Sequence, residues 1–141
     1  MDDLVRWLTA QLDADEETAR ATDKTLAQRN LQWAAEPVND AFSRVLTARG
    51  YVVGTGEFNP EDSAHIAEWD PARVLREIDT KRQLLDEHQD VNDGSCGTCV
   101  DGEWGYPIHG GSSPQRFPCR TLRLLALPYA DRPGFREEWK L

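Results

Sequence analysis

Apolar side chains near the start of the chain recur at the three- and four-residue spacing of one helical face. The positions on this face are Leu4, Trp7, Leu8 and Leu12. Acidic residues fill the other faces, and this amphipathic pattern predicts a helix over residues 2–30. From Thr18 to Asn30 the apolar positions shrink to alanines and Leu26, so this half is either a solvated extension or a second short helix.

A change of spacing after Trp33 indicates β-structure. Ser43–Leu46 and Tyr51–Thr55 carry β-branched and aromatic residues, and Gly50 between them can supply the positive φ of a tight turn. This pattern predicts a β-hairpin, to which residues 31–34 can add a third strand. A helix from Val38 to Arg49 also fits the spacing and is the alternative.

Two helix starts follow, each marked by a capping residue and a proline. Asn59 precedes Pro60 and Asp70 precedes Pro71, which is the order of an N-cap and a first helical position. We therefore expect two helices, the second of which runs from about Pro71 to His88.

The next segment, residues 94–118, contains six glycines and three prolines. This composition predicts a loop with at most a short hairpin around Glu103 to Ile108. A last helix is expected to start near Cys119 and to stop or kink at Pro128. The side chains that this helix is expected to bury are Leu122, Leu124, Leu125 and Leu127. A closing turn over residues 136–139 should dock Phe135 and Trp139 on the body of the protein.

Length and charge narrow the class of protein. A chain of 141 residues has the length of one domain. Sixteen Lys and Arg against 25 Asp and Glu give a formal charge of −9, and the sequence shows no basic cluster. Such a surface repels nucleic-acid backbones and anionic lipids. The first residues lack the pattern of a signal peptide, so we expect a cytoplasmic protein whose thiols stay reduced.

Three cysteines and a histidine carry the candidate chemistry. Cys96 and Cys99 form a CxxC knuckle, in which two intervening residues allow both sulfur atoms to meet one tetrahedral zinc. Cys119 follows Pro118 at the predicted start of a helix, where the helix N-terminus favours a thiolate. His88 ends the preceding helix, with seven residues between it and the knuckle, and can point toward the knuckle. These residues predict a structural zinc site.

The metal site has alternatives that the residues leave open. His109, in the glycine-rich segment, can replace His88 as the fourth ligand. The cysteines can also be ordinary buried thiols, or Cys96 and Cys99 a redox pair, although no strand precedes them in the pattern. A catalytic zinc with a bound water would need a general base, for which only Asp101 and Glu103 lie close in sequence.

Aromatic residues of the metal loop, Trp104 and Tyr106, are interpreted either as lids over the core or as an interaction patch. His65 lies beside Ile66 and ahead of Trp69, which is more typical of a packed histidine than of a catalyst.

Several strings resemble a family of small uncharacterised proteins from actinobacteria and their phages, a domain of unknown function. The strings are MDDLVRWLTAQLDADEETAR (1–20), HIAEWDPARVLREIDTKRQLLDEH (65–88), CGTC (96–99) and PCRTLRLLALPYADRPGFREEW (118–139). The resemblance implies a histidine at the end of the DPAR helix, a CxxC and a later cysteine, which correspond here to His88, Cys96, Cys99 and Cys119. It implies no activity, and residues 22–45 depart from the family pattern.

The sequence thus predicts a small α+β domain, mainly helical, with a short antiparallel hairpin or three-stranded sheet and a zinc-clamped C-terminal helix. The expected parts of this single domain (1–141) are the N-terminal helix (1–30), the hairpin region (31–56), the helix pair (60–89), the metal loop (94–119) and the C-terminal helix with its closing turn (119–141). Its expected role is that of a non-enzymatic, zinc-stabilised interaction protein with a protein partner. The alternatives are an acidic regulator or DNA mimic that binds a basic partner, and a zinc-dependent hydrolase or deaminase. The last alternative is disfavoured because the zinc-deaminase signature, H-x-E followed by P-C-x-x-C, does not occur at His65 or at Cys96.

Overall fold

The computed structural model of the chain describes residues 2–26, 31–53, 58–103, 106–107 and 113–141, with residues 23–26, 102–103 and 106–107 described by their backbone alone. These residues form helices and short antiparallel sheets, so the fold is α+β as the sequence predicts. They group into two compact units, Met1–Leu12 with Asp79–Leu141 and, separately, Asp13–Ile78. That all 141 residues form one domain stays a prediction.

The first helix, α1, spans Asp3–Leu26 and confirms the predicted helix over the described part of its range. Leu4, Leu8 and Leu12 are fully buried, as the spacing requires. In the part of the chain that the structure describes, no helix is long and apolar enough to cross a membrane.

The closing turn at the end of the chain packs against the start of α1. The ring of Trp7 lies 5.6 Å from that of Phe135 and 5.2 Å from that of Trp139, measured between centroids. The Trp7 indole also donates a hydrogen bond to the carbonyl of Pro133 at 3.0 Å. The predicted docking of Phe135 and Trp139 is confirmed.

Two antiparallel strands, β1 (Trp33–Pro37) and β2 (Ser43–Thr47), form the sheet of the second unit. Beyond β2, Gly50 has the predicted positive φ, +83°, and Val52 bridges back to Leu46. Of the hairpin expected between residues 43–46 and 51–55, the described residues therefore show one bridge, Leu46 to Val52. Residues 54–57 lie outside the described residues. The alternative helix over 38–49 is wrong, because the strand β2 occupies residues 43–47 of that range.

Helices α2 (Pro60–Glu68) and α3 (Pro71–Glu87) begin where the capping pattern predicts. The side chain of Asn59 accepts a hydrogen bond from the Asp62 amide at 2.8 Å. Asp70 accepts one from the Arg73 amide at 2.7 Å. Both cap residues thus satisfy an amide of the first turn.

A three-stranded sheet lies largely where the sequence predicted a loop over residues 94–118. Its strands are β3 (Asp90–Val91), β4 (Ser95–Val100) and β7 (Pro114–Arg116), which pair antiparallel in the order β3–β4–β7. In the chain between β4 and β7, the strands β5 (Gly102–Glu103) and β6 (Tyr106–Pro107) pair with each other as a two-stranded hairpin. This confirms the short hairpin expected near these residues.

The last helix, α4, spans Arg120–Ala126 and passes into a short 3₁₀ turn, Leu127–Tyr129, so Pro128 ends the α-helix as predicted. Leu122 and Ala126, four residues apart, form its buried face. The predicted burial of Leu124 is wrong, since its side chain is 45% exposed. A residue two positions from Leu122 projects from the opposite side of a helix with 3.6 residues per turn.

Candidate metal centre

His88 stands immediately after the last residue of α3. Its amide still donates to the carbonyl of Leu84 at 3.2 Å, so the backbone of α3 fixes the position of the histidine. The residue is buried, with 7% of its surface exposed. A buried imidazole requires partners for its ring nitrogens, and the sulfur atoms of the three cysteines supply them for Nδ1.

The CxxC knuckle lies on β4, the central strand of the three-stranded sheet. The amide of Cys99 points at the sulfur of Cys96, with 3.4 Å between nitrogen and Sγ. Two further hydrogen bonds tie the knuckle to the chain around the end of α3. The Gly97 amide donates to the carbonyl of Gln89 at 2.9 Å, and the Thr98 hydroxyl donates to the carbonyl of Glu87.

Cys119 occupies the N-cap position of α4, in extended backbone. It is buried to 1% exposure, whereas Cys99 is half-buried. The side chain of Cys119 makes no capping hydrogen bond to the helix, so its sulfur is available to the cluster. The candidate ligands therefore come from the end of one helix, a strand and the start of another helix.

The four side chains meet around one point. Nδ1 of His88 lies 3.5 Å from Sγ of Cys96, 3.3 Å from that of Cys99 and 3.5 Å from that of Cys119. All four candidate ligand atoms lie within 4.8 Å of one another. If one tetrahedral zinc bound a cysteine sulfur and a histidine nitrogen at the usual bond lengths, the sulfur and the nitrogen would lie about 3.6 Å apart. The arrangement is therefore compatible with a metal site.

The electrostatics of the cluster favour a cation. Burial opposes ionisation of Cys96, but hydrogen bonds from the amides of Cys99 and Thr98 outweigh it and lower the pKa of this thiol to about 7. Burial raises the pKa of Cys119 to about 11, and the neighbouring sulfur atoms add to that rise. The amide of Leu122, in the first turn of α4, lowers this pKa as expected for a helix start, but burial outweighs it. A bound divalent cation would allow all three sulfur atoms to ionise.

Thr121 supports the cluster and was missed in the sequence. Its hydroxyl oxygen lies 3.7 Å from Sγ of Cys99, within hydrogen-bond range for sulfur. Such outer contacts orient metal ligands. The available signal was the position of Thr121 two residues after Cys119, in the first turn of the predicted last helix.

The other candidates do not join the cluster in the described part of the chain. His65 lies in α2, in the second unit, with its ring 6.2 Å from that of Trp69. Among the described side chains, no carboxylate belongs to the group of four ligands. His109 and Trp104 lie outside the described residues, and Glu103 and Tyr106 are described only as backbone in β5 and β6.

Comparison with protein families matches residues 1–141 to a family of unknown function, DUF6221. The chain belongs to this family. No curated protein and no solved structure matches it.

Proposed function

We propose that this member of DUF6221 is a non-enzymatic interaction protein whose fold is stabilised by a structural zinc ion bound to His88, Cys96, Cys99 and Cys119. The observation that carries the proposal is the position of three sulfur atoms 3.3–3.5 Å from one imidazole nitrogen. Packing of ordinary thiols does not require that convergence.

The donor set favours zinc over the other common metals. Three sulfur atoms and one nitrogen suit a borderline-soft ion that accepts tetrahedral geometry, whereas calcium and magnesium require oxygen ligands. The cysteines are free rather than disulfide-bonded. We expect the protein to act in the cytoplasm, where such thiols stay reduced and available to a metal.

A structural role for the zinc follows from the number of ligands. Four protein ligands complete a tetrahedral site, while catalytic zinc ions keep one position for water or substrate. A zinc-dependent hydrolase or deaminase, the alternative, would need such an open position and a nearby general base.

The partner that we propose is a protein. A net charge of −9 works against direct binding to nucleic acid and against anionic membranes, and it favours a partner with a basic surface. Trp104 and Tyr106 of the metal loop are the proposed anchors, because aromatic residues contribute strongly at protein interfaces.

Metal analysis tests the zinc site. Native mass spectrometry should show one zinc per chain, since the four ligands leave no second set of this kind in the described residues. Cobalt substitution should give the intense visible spectrum of a tetrahedral, thiolate-rich site, and added azide should leave that spectrum unchanged. Metal-free protein with a Cys96–Cys99 disulfide would contradict the zinc site. A spectrum that azide alters would indicate an open position and contradict the structural role.

The interaction patch is tested separately by affinity capture with quantitative mass spectrometry. A Trp104→Ala, Tyr106→Ala double variant should lose the partners that the wild type retains. A Trp69→Ala, Tyr51→Ala variant is the matched control, because it removes one tryptophan and one tyrosine that are each 46% exposed elsewhere in the chain. Retention of every partner by the first variant would contradict the proposed anchors.

A further inference from the structure

The first unit contains a cavity of about 1020 Å³ whose walls carry four arginines. We call this the arginine cleft; its arginines are Arg116, Arg120, Arg123 and Arg136. The sequence showed no basic cluster in this acidic chain, and the same cavity is also lined by four carboxylates, Asp2, Asp3, Asp101 and Glu138. A bias in composition was present, since residues 113–141 hold six of the 16 basic side chains but only three of the 25 acidic ones.

Two of the four guanidinium groups have no partner among the described residues. Arg116, at the end of β7, and Arg120, at the start of α4, are both exposed and form neither ion pairs nor side-chain hydrogen bonds there. Arg136 differs, because it pairs with Asp3 at 3.0 Å and with Glu138 at 3.5 Å. Arg116 and Arg120 are therefore available to a ligand.

Arg123 adds positive charge without a carboxylate partner. Its Nε donates to the carbonyl of Trp139 at 3.1 Å, and its Nη2 donates to the carbonyls of Glu138 and Lys140. These acceptors are neutral, so they fix the side chain and leave its charge uncompensated. The cleft also contains Asp2 and Asp101, which form no ion pair with a described residue. Among its described residues the cleft therefore holds four guanidinium groups and four carboxylates, and both of the carboxylates that form ion pairs, Asp3 and Glu138, pair with Arg136.

The chemistry of these groups specifies a ligand. A guanidinium group presents a planar fork of donors that matches the oxygen atoms of phosphate and carboxylate. The volume of the cleft is at the upper end of the range for small-molecule sites. Phe117 and Pro118 lie between Arg116 and Arg120 and give the cleft an apolar wall against which an organic group can pack.

We propose that the arginine cleft binds a small organic phosphate through Arg116 and Arg120, with Arg123 contributing long-range attraction. The carboxylates in its walls favour a compact anion over an extended one, because a long polyanion would also meet Asp2, Asp101 and the net charge of −9. This binding activity is independent of the proposed protein partner.

The candidate metal centre positions the two arginines of this site. Arg116 is paired with Ser95 of β4, next to Cys96, and Arg120 directly follows Cys119. Metal binding would hold β4 and the start of α4 together and so fix the distance between the backbones of the two arginines. Any metal bound at this centre would have this effect, so the test of anion binding does not depend on the metal being zinc.

The test uses phenyl phosphate as the probe and the full, metal-loaded chain. Titration followed by NMR of the arginine Nε–Hε signals should saturate with a Kd below about 1 mM. An Arg116→Gln, Arg120→Gln variant should weaken binding at least tenfold. The control, Arg20→Gln with Arg44→Gln, removes two exposed arginines that pair with Glu16 and Glu36, and it should change the Kd less than twofold. Circular dichroism and metal content verify that both variants fold.

Three results would overturn the proposal. One is the lack of saturable binding by the wild type, and another is equal weakening in the two variants, which would indicate a general charge effect. The third is tighter binding of a single-stranded DNA oligonucleotide that displaces phenyl phosphate from Arg116 and Arg120, which would assign the cleft to nucleic acid. Inorganic phosphate is the additional probe: weaker binding than phenyl phosphate supports an organic ligand, whereas equal binding removes that part of the proposal.

Discussion

At the scale of single residues, the candidate metal centre is organised around Nδ1 of His88. This atom lies 3.3–3.5 Å from all three sulfur atoms. The backbone amide of His88 donates to the Leu84 carbonyl, which holds the residue at the end of α3. Without a cation, burial would keep Cys119 protonated while Cys96 ionises near neutral pH. The proposed zinc would therefore have to displace protons as it binds, which couples metal affinity to pH and to folding.

Replacement of His88 tests the choice of histidine. We expect His88→Ala to lower zinc affinity by more than the ~10–100-fold typical of changes outside the ligand set, because it removes a ligand. Cys119→Ser should be comparably severe. His109→Ala should be mild, and His65→Ala serves as a control from the other unit. Competition with a chromophoric chelator measures the affinities. A severe effect of His109→Ala with a mild effect of His88→Ala would show that the histidines were assigned in the wrong order.

The chemistry of their side chains allowed the four candidate ligands to be picked out from the sequence. Cysteine and histidine occur only three times each in the chain, so a CxxC with a third cysteine was conspicuous. The arginine cleft could not be picked out in the same way. Arginine is a common surface residue, and only the fold brings Arg136 of the closing turn to the same cavity as Arg116.

At the scale of secondary-structure elements, hydrophobic periodicity and capping residues predicted most of the helices. Asn59 and Asp70 mark the starts of α2 and α3 because their side chains satisfy amides within the next three residues, which is a local interaction. In the sheet β3–β4–β7 only the turn between β3 and β4 is local, at Asn92, Asp93 and Gly94. The central strand reads Ser-Cys-Gly-Thr-Cys-Val, and its pairing with β7 joins residues 14 and 21 positions apart. Composition alone therefore indicated a loop.

Helix α4 offers a test of which leucines stabilise the first unit. Leu122→Ala should lower the free energy of unfolding by about 2–5 kcal/mol, because Leu122 is fully buried and its loss leaves a cavity. Leu124→Ala is the matched control, and its cost should stay below about 1 kcal/mol because its side chain is 45% exposed. Urea unfolding of the metal-loaded protein measures both values. Similar losses for the two variants would contradict the assigned orientation of α4.

At the scale of the whole molecule, the helices α1 and α3 each run through a boundary between the two compact units, which is relevant to whether the chain unfolds as one domain. The residues group into two compact units, yet the boundaries fall inside helices: between Leu12 and Asp13 in α1, and between Ile78 and Asp79 in α3. Helix formation is cooperative, so the loss of one end of a helix weakens the turns that follow. Two helices that belong to both units are a physical reason to expect coupled unfolding, as the single-domain prediction requires.

Chelation of the metal tests that coupling. We expect removal of the ion to raise amide exchange around the ligands, at Gly97 and Cys99, whose hydrogen bonds hold the knuckle. If the chain is one domain, exchange should also rise in the second unit, at the β2 amides of Ser43 and Thr47. Hydrogen exchange with mass spectrometry resolves the two regions, and a His65→Ala variant controls for changes unrelated to the metal. A rise confined to residues 79–141 would contradict the single-domain prediction and leave the metal site intact as a hypothesis. Unchanged exchange in both units would show instead that no structural ion had been bound.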